Sequence, residues 1–366
     1  MIEAIQSFFA LKWTQEPLLR PLPPHIVRNY VQTPNGNLEL LSSKPDVKSA
    51  GLSSRKQPIF FVHGGEGSGS VWFEWMEHLS TSYNATTYAY SLRCHGASYS
   101  VPYWKMVWGT SLDDLASDLV ACIQDVRERE GQDPIIVAHS SGGGLSQYVL
   151  SKSLVKARGL VLVGAVPHWG NMSVYFSWFR RIDPWFSLRS LCHLFHPNSP
   201  LNTPRLVHNA FFGPQYPRSR VPEFMRWMSN YEAMFWPFGM AGRGWGIENR
   251  SWLATTDILS NIVQWNGSQK ILVMIGTDDK MMGGTETRMV REYCSGIQQM
   301  QVEKRIDADY DSTKPSIKIV RDKYVNESDY PGVRLVEVKG AGHHTQNDMQ
   351  WEEAAEALRR FSEQLD

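Results

Sequence analysis

The chain has 366 residues, enough for one large domain with an insertion or for two domains. Lys plus Arg and Asp plus Glu both number 37, and this zero formal charge argues against a nucleic-acid partner, because proteins that bind nucleic acids usually carry a basic surface. The four cysteines have no metal-type spacing, no apolar run reaches the length of a membrane span, and the N-terminus lacks the basic start of a signal peptide. We therefore expect a cytoplasmic protein without a metal or a membrane span.

The first third of the chain predicts an arm followed by alternating strands and helices. Residues 1–24 are predicted to form the arm, which ends in the proline-rich stretch PLPP. A β-hairpin follows, because Asn35-Gly36 is a strong turn signal between two strand-like runs. PIFFVHGG predicts a buried strand that enters a glycine-rich loop, and a helix over about residues 70–79 and the strand TTYAYSL come next. From Ser111 to Gly131 apolar residues recur at helical spacing, which predicts a long helix.

The rest of the chain continues this alternation with one interruption. DPIIVA and GLVLVGAV predict buried strands on either side of a helix, which favours a parallel sheet with crossover helices. The pattern stops at Pro167 and resumes at KILVMIGTDD. We therefore predict a helical cap at residues 167–265 between two parts of an α/β core, residues 25–166 and 266–366. The polar residues 302–330 show no period and are predicted to be a surface insertion within the core.

The stretch VAHSSGGG concentrates small residues where a predicted strand turns into a helix. A serine nucleophile must stand clear of its own backbone, which a sharp strand-to-helix turn achieves when small residues lie two positions to either side. Ala138 and Gly142 flank Ser140 in this way, whereas Ser141 would have the bulky His139 on one side. Ser140 is therefore the predicted nucleophile; the alternative is an ordinary glycine-rich turn.

Two later loops carry the acid and the histidine of a possible catalytic triad, in that chain order. The first is Gly-Thr-Asp-Asp279 and the second is Lys-Gly-Ala-Gly-His-His344, and each follows a predicted strand. Ligands bind at the carboxyl ends of strands in open α/β sheets, so we expect these side chains to converge on Ser140. The residue types alone leave the choice between Asp278 and Asp279, and between His343 and His344, open.

The motifs FFVHGG, SLRCHGAS, VAHSSGG, ILVMIGTDD and VKGAGHH resemble those of the α/β-hydrolase superfamily. The resemblance implies the α/β-hydrolase fold, with a mostly parallel central sheet flanked by helices and a helical lid before the acid strand. It also implies Asp279 rather than Asp278, and His343 rather than His344, as the triad members. Ala138 departs from the glycine usual there. More narrowly, HGGEGSGSVWFEWM resembles fungal α/β-hydrolases of secondary-metabolite and toxin pathways.

These residues predict a serine hydrolase that cleaves an ester, thioester or lactone through an acyl-enzyme and needs no cofactor. Ser140 would attack the carbonyl, His343 would accept its proton, and Asp279 would hold the imidazole. The backbone N–H groups of Gly65 and Ser141 would bind the oxyanion. The same triad also allows C–C bond hydrolysis, acyl transfer or a lyase step, and a non-catalytic ligand receptor is a third class.

The predicted cap is rich in tryptophan and arginine: it holds eight of the 14 tryptophans, nine arginines, five acids and no lysine. Ligand pockets are lined mainly by apolar and aromatic side chains, so we predict a bulky hydrophobic small-molecule substrate bound by Trp169, Trp236 and His344. Arginine binds carboxylates and phosphates in a bidentate fork, so we also expect an acidic group or a coenzyme-A thioester on that substrate. The aromatic cap is also a candidate surface for a homodimer.

Overall fold

The computed structural model describes residues 8–14, 18–44, 56–240, 252–308, 310 and 317–366. A single ten-stranded sheet runs through these residues. Its strands, in chain order, are β1 (Ile26–Thr33), β2 (Gly36–Ser43), β3 (Ile59–Val62), β4 (Thr87–Tyr90), β5 (Ile135–His139), β6 (Gly159–Val163), β7 (Ile271–Gly276), β8 (Ile317–Arg321), β9 (Val325–Tyr330) and β10 (Val333–Val338).

The strands lie in the order β1-β2-β4-β3-β5-β6-β7-β10-β9-β8. The six strands from β4 to β10 in this order are parallel, and the antiparallel hairpins β1–β2 and β8–β9 extend the two edges. The strands β3, β5, β6 and β7 are buried along their whole length, which explains their continuous apolar sequences. The predicted mostly parallel sheet is confirmed.

Helices cover both faces of this sheet. Within the described residues the α-helices are α1 (Phe73–Ser82), α2 (Tyr103–Gly109), α3 (Leu112–Glu130), α4 (Ser140–Ser151), α5 (Met172–Ser177), α6 (Phe186–Cys192), α7 (Pro204–Phe211), α8 (Val221–Met225), α9 (Phe235–Gly239), α10 (Thr255–Leu259), α11 (Glu286–Val302) and α12 (Trp351–Glu363). A π-helix, Trp178–Ile182, continues α5, and three short 3₁₀ helices span Gly69–Trp72, Ser199–Leu201 and Arg218–Arg220. No described helix is long and apolar enough to cross a membrane.

The two faces of the sheet bury separate apolar cores. On one face α1 and α12 pack their apolar residues, such as Trp75 and Leu358, against the strands. On the other face α3, α4 and α11 bury residues such as Leu119 and Tyr293. Burial of one such side chain stabilises the fold by about 1.5–3 kcal/mol, so these two layers fix the strand ends that carry the site.

Residues 167–265, which we call the cap segment, connect β6 to β7. The described part of the segment forms the helices α5 to α10 and no strand, as the interrupted sequence pattern predicted. Residues 241–251, including Trp245, lie outside the described residues. Backbone carbonyls of the predicted arm accept hydrogen bonds from His196 and Asn230 of the cap segment. The division of the chain into arm, core and cap stays a prediction.

The predicted surface insertion at residues 302–330 holds two strands, β8 and β9, that its sequence did not predict. They pair antiparallel and extend the sheet beyond β10. One inward position of β9 is polar: Glu327 is fully buried and pairs with Arg360 of α12 and Arg334 of β10. An ion pair at a buried position removes the apolar alternation by which a strand is recognised in a sequence.

Candidate active site

Ser140 is the first residue of α4 and directly follows β5. Its φ of +53° lies in the left-handed region, which residues with a side chain rarely adopt. A Cβ atom added at Gly142 would lie 2.2 Å from the carbonyl oxygen of His63, and one at Gly143 would lie 2.3 Å from Cβ of Ala165. Only glycine fits at these two positions, so the small residues of VAHSSGGG allow the sharp strand-to-helix turn that presents Ser140.

The structure brings Ser140, His343 and Asp279 together at hydrogen-bond distance. Ser140 Oγ lies 2.9 Å from His343 Nε2, and His343 Nδ1 lies 2.9 Å from Asp279 Oδ2. Asp279 follows β7 and His343 follows β10, so all three come from carboxyl ends of strands in the parallel part of the sheet. The side chains of His343 and Asp279 are 1% and 0% exposed. This geometry is that of a serine-histidine-aspartate triad.

The second carboxylate oxygen of Asp279 is also engaged. Asp279 Oδ1 accepts the backbone N–H groups of Met281 at 2.8 Å and Met282 at 2.9 Å. The neighbouring Asp278 is partly exposed, and its backbone N–H donates to Ala341. Three hydrogen bonds therefore hold the Asp279 carboxylate in one orientation toward the imidazole.

The two backbone N–H groups of the predicted oxyanion site belong to Ser141 and to the loop beside Ser140. The Ser141 amide lies in the first turn of α4, where N–H groups have no partner within the helix. The Gly65 N–H lies in the loop after β3 and donates to the Ser141 side-chain oxygen at 2.8 Å. The loop is close to the serine, since a Cβ atom at Gly64 would lie 2.8 Å from Cβ of Ser140. An oxyanion would therefore replace the Ser141 hydroxyl as the acceptor of the Gly65 N–H.

A buried pair of Glu232 and His95 lies next to this loop, and the sequence did not predict it. Glu232 of the cap segment accepts the Glu66 backbone N–H at 2.9 Å and the Ala233 N–H at 2.9 Å. His95 places Nε2 3.0 Å from the same Glu232 carboxylate and Nδ1 2.8 Å from the Arg93 carbonyl. Both ring nitrogens thus face acceptors, which is the arrangement of a protonated imidazole.

The charges of this pair follow from its surroundings. Burial disfavours the His95 cation, but the Glu232 carboxylate outweighs burial and raises the pKa of His95. Burial likewise opposes ionisation of Glu232, but the charge of His95 and the hydrogen bonds it accepts lower the pKa of Glu232. Glu66 has no such cation, and burial together with the nearby Glu232 charge raises the pKa of Glu66 well above its usual range. A neutral Glu66 therefore lies beside an ionised Glu232 in the wall of the site.

His139, the neighbour of the nucleophile, supports the histidine loop. Its Nε2 lies 3.0 Å from the backbone carbonyl of His343, to which it donates. His139 is buried, and burial followed by the neighbouring histidines lowers its pKa well below the ordinary value. A neutral ring that donates to the carbonyl of His343 holds the loop, as a packed neighbour rather than a base.

A cavity of about 210 Å³ opens at Ser140, between the sheet and the cap segment. Its walls are mostly apolar, and the cap segment supplies most of them. The apolar and aromatic residues in its walls include Tyr175, Trp178, Phe186, Phe211, Trp236 and Met282. Ser141, Gly65, Glu66 and Glu232 add the polar part of the lining. Such a cavity suits a hydrophobic acyl or alcohol group next to a reactive serine.

The three residues predicted to bind substrate lie in different places. Trp236 lines the cavity. Trp169 is not in the described cavity wall and instead lies under Arg288, whose guanidinium is 4.1 Å from the ring centroid. His344 lies behind the wall, 4.6 Å from the Phe211 ring, with Nδ1 bonded to Asn347. Of the three, the structure thus places Trp236 in the described cavity wall, and the substrate contacts of Trp169 and His344 stay predictions.

The described cavity walls add no support to the prediction of an anionic substrate, which stays a prediction. None of the described lining residues is Lys or Arg, and the acidic ones are Glu66 and Glu232. Arginines of the cap segment have other partners: Arg189 pairs with Asp183 at 2.9 Å, and Arg226 lies over Trp227. A carboxylate or phosphate on the substrate would find no cationic side chain among these described lining residues, because the His95 cation that pairs with Glu232 is not one of them.

The sequence of this chain matches a profile of the α/β hydrolase fold over residues 57–308. The chain belongs to the α/β-hydrolase family. The matched region includes Ser140 and Asp279, and His343 follows it. No curated protein matches the sequence.

Solved structures, two of them named as a phospholipase and an esterase, share the fold of this α/β-hydrolase. VinJ has a TM-score of 0.58 at 16% identity and covers 94% of this chain and 100% of its own. A bacterial membrane phospholipase A has a TM-score of 0.57 at 13% identity, with 93% of this chain and 87% of its own covered. An esterase from Exiguobacterium antarcticum has a TM-score of 0.55 at 14% identity, with 92% and 100% covered. These likenesses show the fold, and together with the family they support a hydrolase.

Proposed function

We propose that this α/β-hydrolase is a serine esterase that cleaves a neutral, hydrophobic ester through an acyl-enzyme. The observation that carries the proposal is the continuous hydrogen-bond chain from Ser140 Oγ through His343 to Asp279, with 2.9 Å at each step. The strained backbone of Ser140 and the apolar cavity beside it support the same reaction.

In the first half of the reaction Ser140 Oγ attacks the ester carbonyl carbon while His343 Nε2 takes its proton. The carbonyl oxygen becomes an oxyanion beside the amides of Ser141 and Gly65, which lower the barrier by donating to it. His343 then passes the proton to the leaving alcohol as the carbonyl reforms, which leaves the acyl group on Ser140. Asp279 stabilises the imidazolium and keeps its own charge throughout.

In the second half a water molecule replaces the alcohol. His343 takes a proton from the water, the hydroxide attacks the acyl carbon, and the tetrahedral oxyanion again lies beside the same two amides. The return of the proton to Ser140 Oγ releases the carboxylic acid and restores the enzyme. A thioester or lactone carbonyl is attacked in the same way, so the geometry suits those bonds too.

The cavity supports a neutral substrate over the acidic or coenzyme-A compound expected from the cap arginines. Glu232 and His95 form a pair without net charge, and no described lining residue supplies a cation, so an anionic group in the cavity would lose its hydration without gaining a partner. The large aromatic side chains Trp178, Phe186 and Trp236 favour a bulky apolar group. A place in fungal secondary metabolism, a cytoplasmic location and a homodimer through the cap stay predictions.

Labelling with a fluorophosphonate probe and hydrolysis of a neutral aryl ester test this proposal. Ser140→Ala should lose all labelling and reduce kcat by about three or more orders of magnitude, because the nucleophile is gone. Ser141→Ala is the matched control: it keeps the backbone amide and should keep labelling and most of the activity.

Ser141→Ala also removes the hydroxyl that occupies the Gly65 N–H in this structure. The freed N–H should therefore still serve the oxyanion. Labelling that persists in Ser140→Ala, or a loss of labelling in Ser141→Ala with the fold intact by circular dichroism, would refute the assignment of the nucleophile.

A further inference from the structure

The outer face of the first part of the cap segment is apolar and exposed. Within residues 172–195, the large apolar side chains that are 39% to 68% exposed are Met172, Phe176, Phe179, Trp185, Leu188, Leu191, Leu194 and Phe195. Soluble proteins rarely expose so many large apolar side chains in one place, and such patches mark interaction sites. We call these eight residues the outer apolar face.

The same helices also turn apolar residues inward. Val174, Tyr175, Trp178 and Phe186 of this segment line the cavity at Ser140. Val174, Tyr175 and Trp178 alternate along the chain with the outward Phe176 and Phe179, and Phe186 directly follows Trp185. The segment therefore carries large apolar side chains on two sides, and those on the outer side have no cover from the described residues of this chain, which indicates that an apolar partner covers them.

The backbone at the end of this segment holds two of these side chains outward. Leu194 and Phe195 both have positive φ, 52° and 54°, a conformation that is costly for large side chains. Both residues lie just past the end of α6, where the Phe195 N–H donates to the Ser190 carbonyl at 2.7 Å and the Leu194 N–H to the Leu191 carbonyl at 3.1 Å. This backbone closes the helix and leaves the two side chains 65% and 50% exposed at the surface.

The charge on this segment identifies the chemistry of that partner. Arg180 and Arg181 are exposed and lie between the apolar side chains. Asp183, the acid within residues 172–195, is buried and pairs with Arg189 at 2.9 Å, so it does not neutralise Arg180 and Arg181. The outer apolar face therefore combines Phe, Trp and Leu with two exposed positive charges, the composition of helices that lie in the surface of a lipid bilayer.

We propose that the outer apolar face docks on the surface of an anionic lipid membrane. The apolar side chains enter the boundary of the acyl chains, and Arg180 and Arg181 meet the phosphate and carboxylate groups of the lipids. A second copy of the chain fits less well. A two-fold dimer through this face would bring the arginines of both copies together, and residues 172–195 hold no exposed carboxylate to pair with them.

Docking places the cavity next to the lipid, because one helical layer separates the outer apolar face from Trp178 and Phe186 in its wall. A hydrophobic ester dissolved in the membrane would then reach Ser140 without crossing water. This route rests on the proposed esterase function, whereas the docking itself does not.

Flotation of the full-length protein with vesicles tests docking without any need for activity. The protein should bind vesicles of phosphatidylcholine that contain phosphatidylserine more tightly than vesicles of phosphatidylcholine alone. The triple variant Phe176→Ser/Trp185→Ser/Leu188→Ser should bind at least about tenfold more weakly, because three side chains no longer enter the bilayer. Leu154→Ser, which changes an exposed leucine just past the end of α4, is the matched control and should bind like the wild type.

Charge reversal tests the electrostatic part with a variant that leaves the apolar residues in place. Arg180→Glu/Arg181→Glu should abolish the preference for phosphatidylserine, and salt should reduce that preference in the wild type. Failure of the wild type to bind either vesicle, or equal binding by the triple variant, would overturn the proposal. Sedimentation that shows a wild-type dimer and a monomeric triple variant would assign the face to a second copy instead. Fluorophosphonate labelling of Ser140 is independent of all these results.

Discussion

At the scale of single residues, the Asp279 carboxylate decides how the imidazole of His343 can act. One oxygen faces His343 Nδ1 and the other accepts two backbone N–H groups, so the carboxylate cannot rotate away. An acceptor at Nδ1 requires the hydrogen on that nitrogen, which leaves the lone pair of Nε2 facing Ser140. The direction of proton transfer is therefore set by these three hydrogen bonds of the Asp279 carboxylate rather than by the histidine itself.

Replacement of this carboxylate tests the orientation argument. Asp279→Asn keeps the shape but can offer an NH₂ group to Nδ1, which stabilises the tautomer that carries its hydrogen on Nε2. We expect kcat for an aryl ester to fall by about four orders of magnitude while the protein stays folded. Initial rates at saturating substrate, with circular dichroism as the check on folding, measure this.

The adjacent carboxylate provides the control for this prediction. Asp278 is partly exposed and lies one residue from Asp279 in the same loop. Asp278→Asn should therefore retain most of the activity, since no hydrogen bond of the triad changes. A larger loss of activity in Asp278→Asn than in Asp279→Asn would show that Asp278, and not Asp279, is the carboxylate that acts on His343.

At the scale of elements, the loop after β3 is held in place by the cap segment. Glu232 accepts the N–H of Glu66, one residue after the predicted oxyanion donor Gly65, and it pairs with His95 in the loop after β4. The left-handed φ of 60° at Glu66 lets its N–H turn toward Glu232. One carboxylate thus connects three loops around the oxyanion site, although it lies far from them in the sequence.

Neutralising Glu232 should therefore affect stability and activity together. Glu232→Gln leaves a buried His95 cation without its partner, and loss of one member of a buried pair costs about 3–5 kcal/mol. We expect the free energy of unfolding to fall by that order in a urea titration. We also expect kcat to fall, because the Gly65 loop loses an anchor. Glu223→Gln, at an exposed acid of the same cap segment, should change neither quantity measurably.

The pH dependence of the stability difference between the wild type and Glu232→Gln gives a second check on the ion pair. The raised pKa of His95 contributes stability below its ordinary value of 6.5 that is lost as the pH rises through the raised pKa. The lowered pKa of Glu232 contributes stability above its ordinary value of 4.5 that is lost as the pH falls through the lowered pKa. The free energy of unfolding of the wild type should therefore exceed that of Glu232→Gln by the largest margin between pH 4.5 and pH 6.5. A margin that is constant with pH would show that the pair is not ionised.

The sequence predicted the parts of the site that depend on local pattern. The strained turn at Ser140 was predictable because Gly142 and Gly143 are required by contacts within one strand-to-helix unit. The convergence of the Asp279 and His343 loops followed from the rule for strand ends. The residue types alone did not select His343 over His344, and the structure now separates them by their partners.

The parts that the sequence did not predict depend on contacts between distant segments. Glu232 and His95 are 137 positions apart, so no spacing rule connects them. Trp169 and Trp236 were equivalent as tryptophans of one segment, but only the packing shows that Trp236 faces the cavity. The buried ion pairs of Glu327 concealed strand β9 in the same way.

At the scale of the whole molecule, the two ends of the sheet differ in what they bury. The carboxyl ends of the parallel strands hold the site residues, and their polar side chains bond to one another, as in Ser140–His343–Asp279 and His95–Glu232. The amino ends hold Lys270, which directly precedes β7 and is fully buried. Its backbone groups bond to Gly332 and Leu160, but its Nζ has no hydrogen-bond partner among the described residues.

Lys270 should therefore lower the stability of the protein, and more so at lower pH. Burial, with a smaller effect of Arg158, lowers the pKa of Lys270 from 10.5 to about 7. The unfolded chain binds the proton more tightly, so folding stability decreases as the pH falls from 10.5 toward 7, and the cost is complete below that.

Lys270→Met removes the titrating group and keeps most of the volume. It should raise the free energy of unfolding by about 1–3 kcal/mol near pH 6 and by clearly less near pH 9.5. Denaturant midpoints at both pH values measure the difference, and an equal or larger gain at the higher pH would show that Lys270 is solvated or paired in the folded protein.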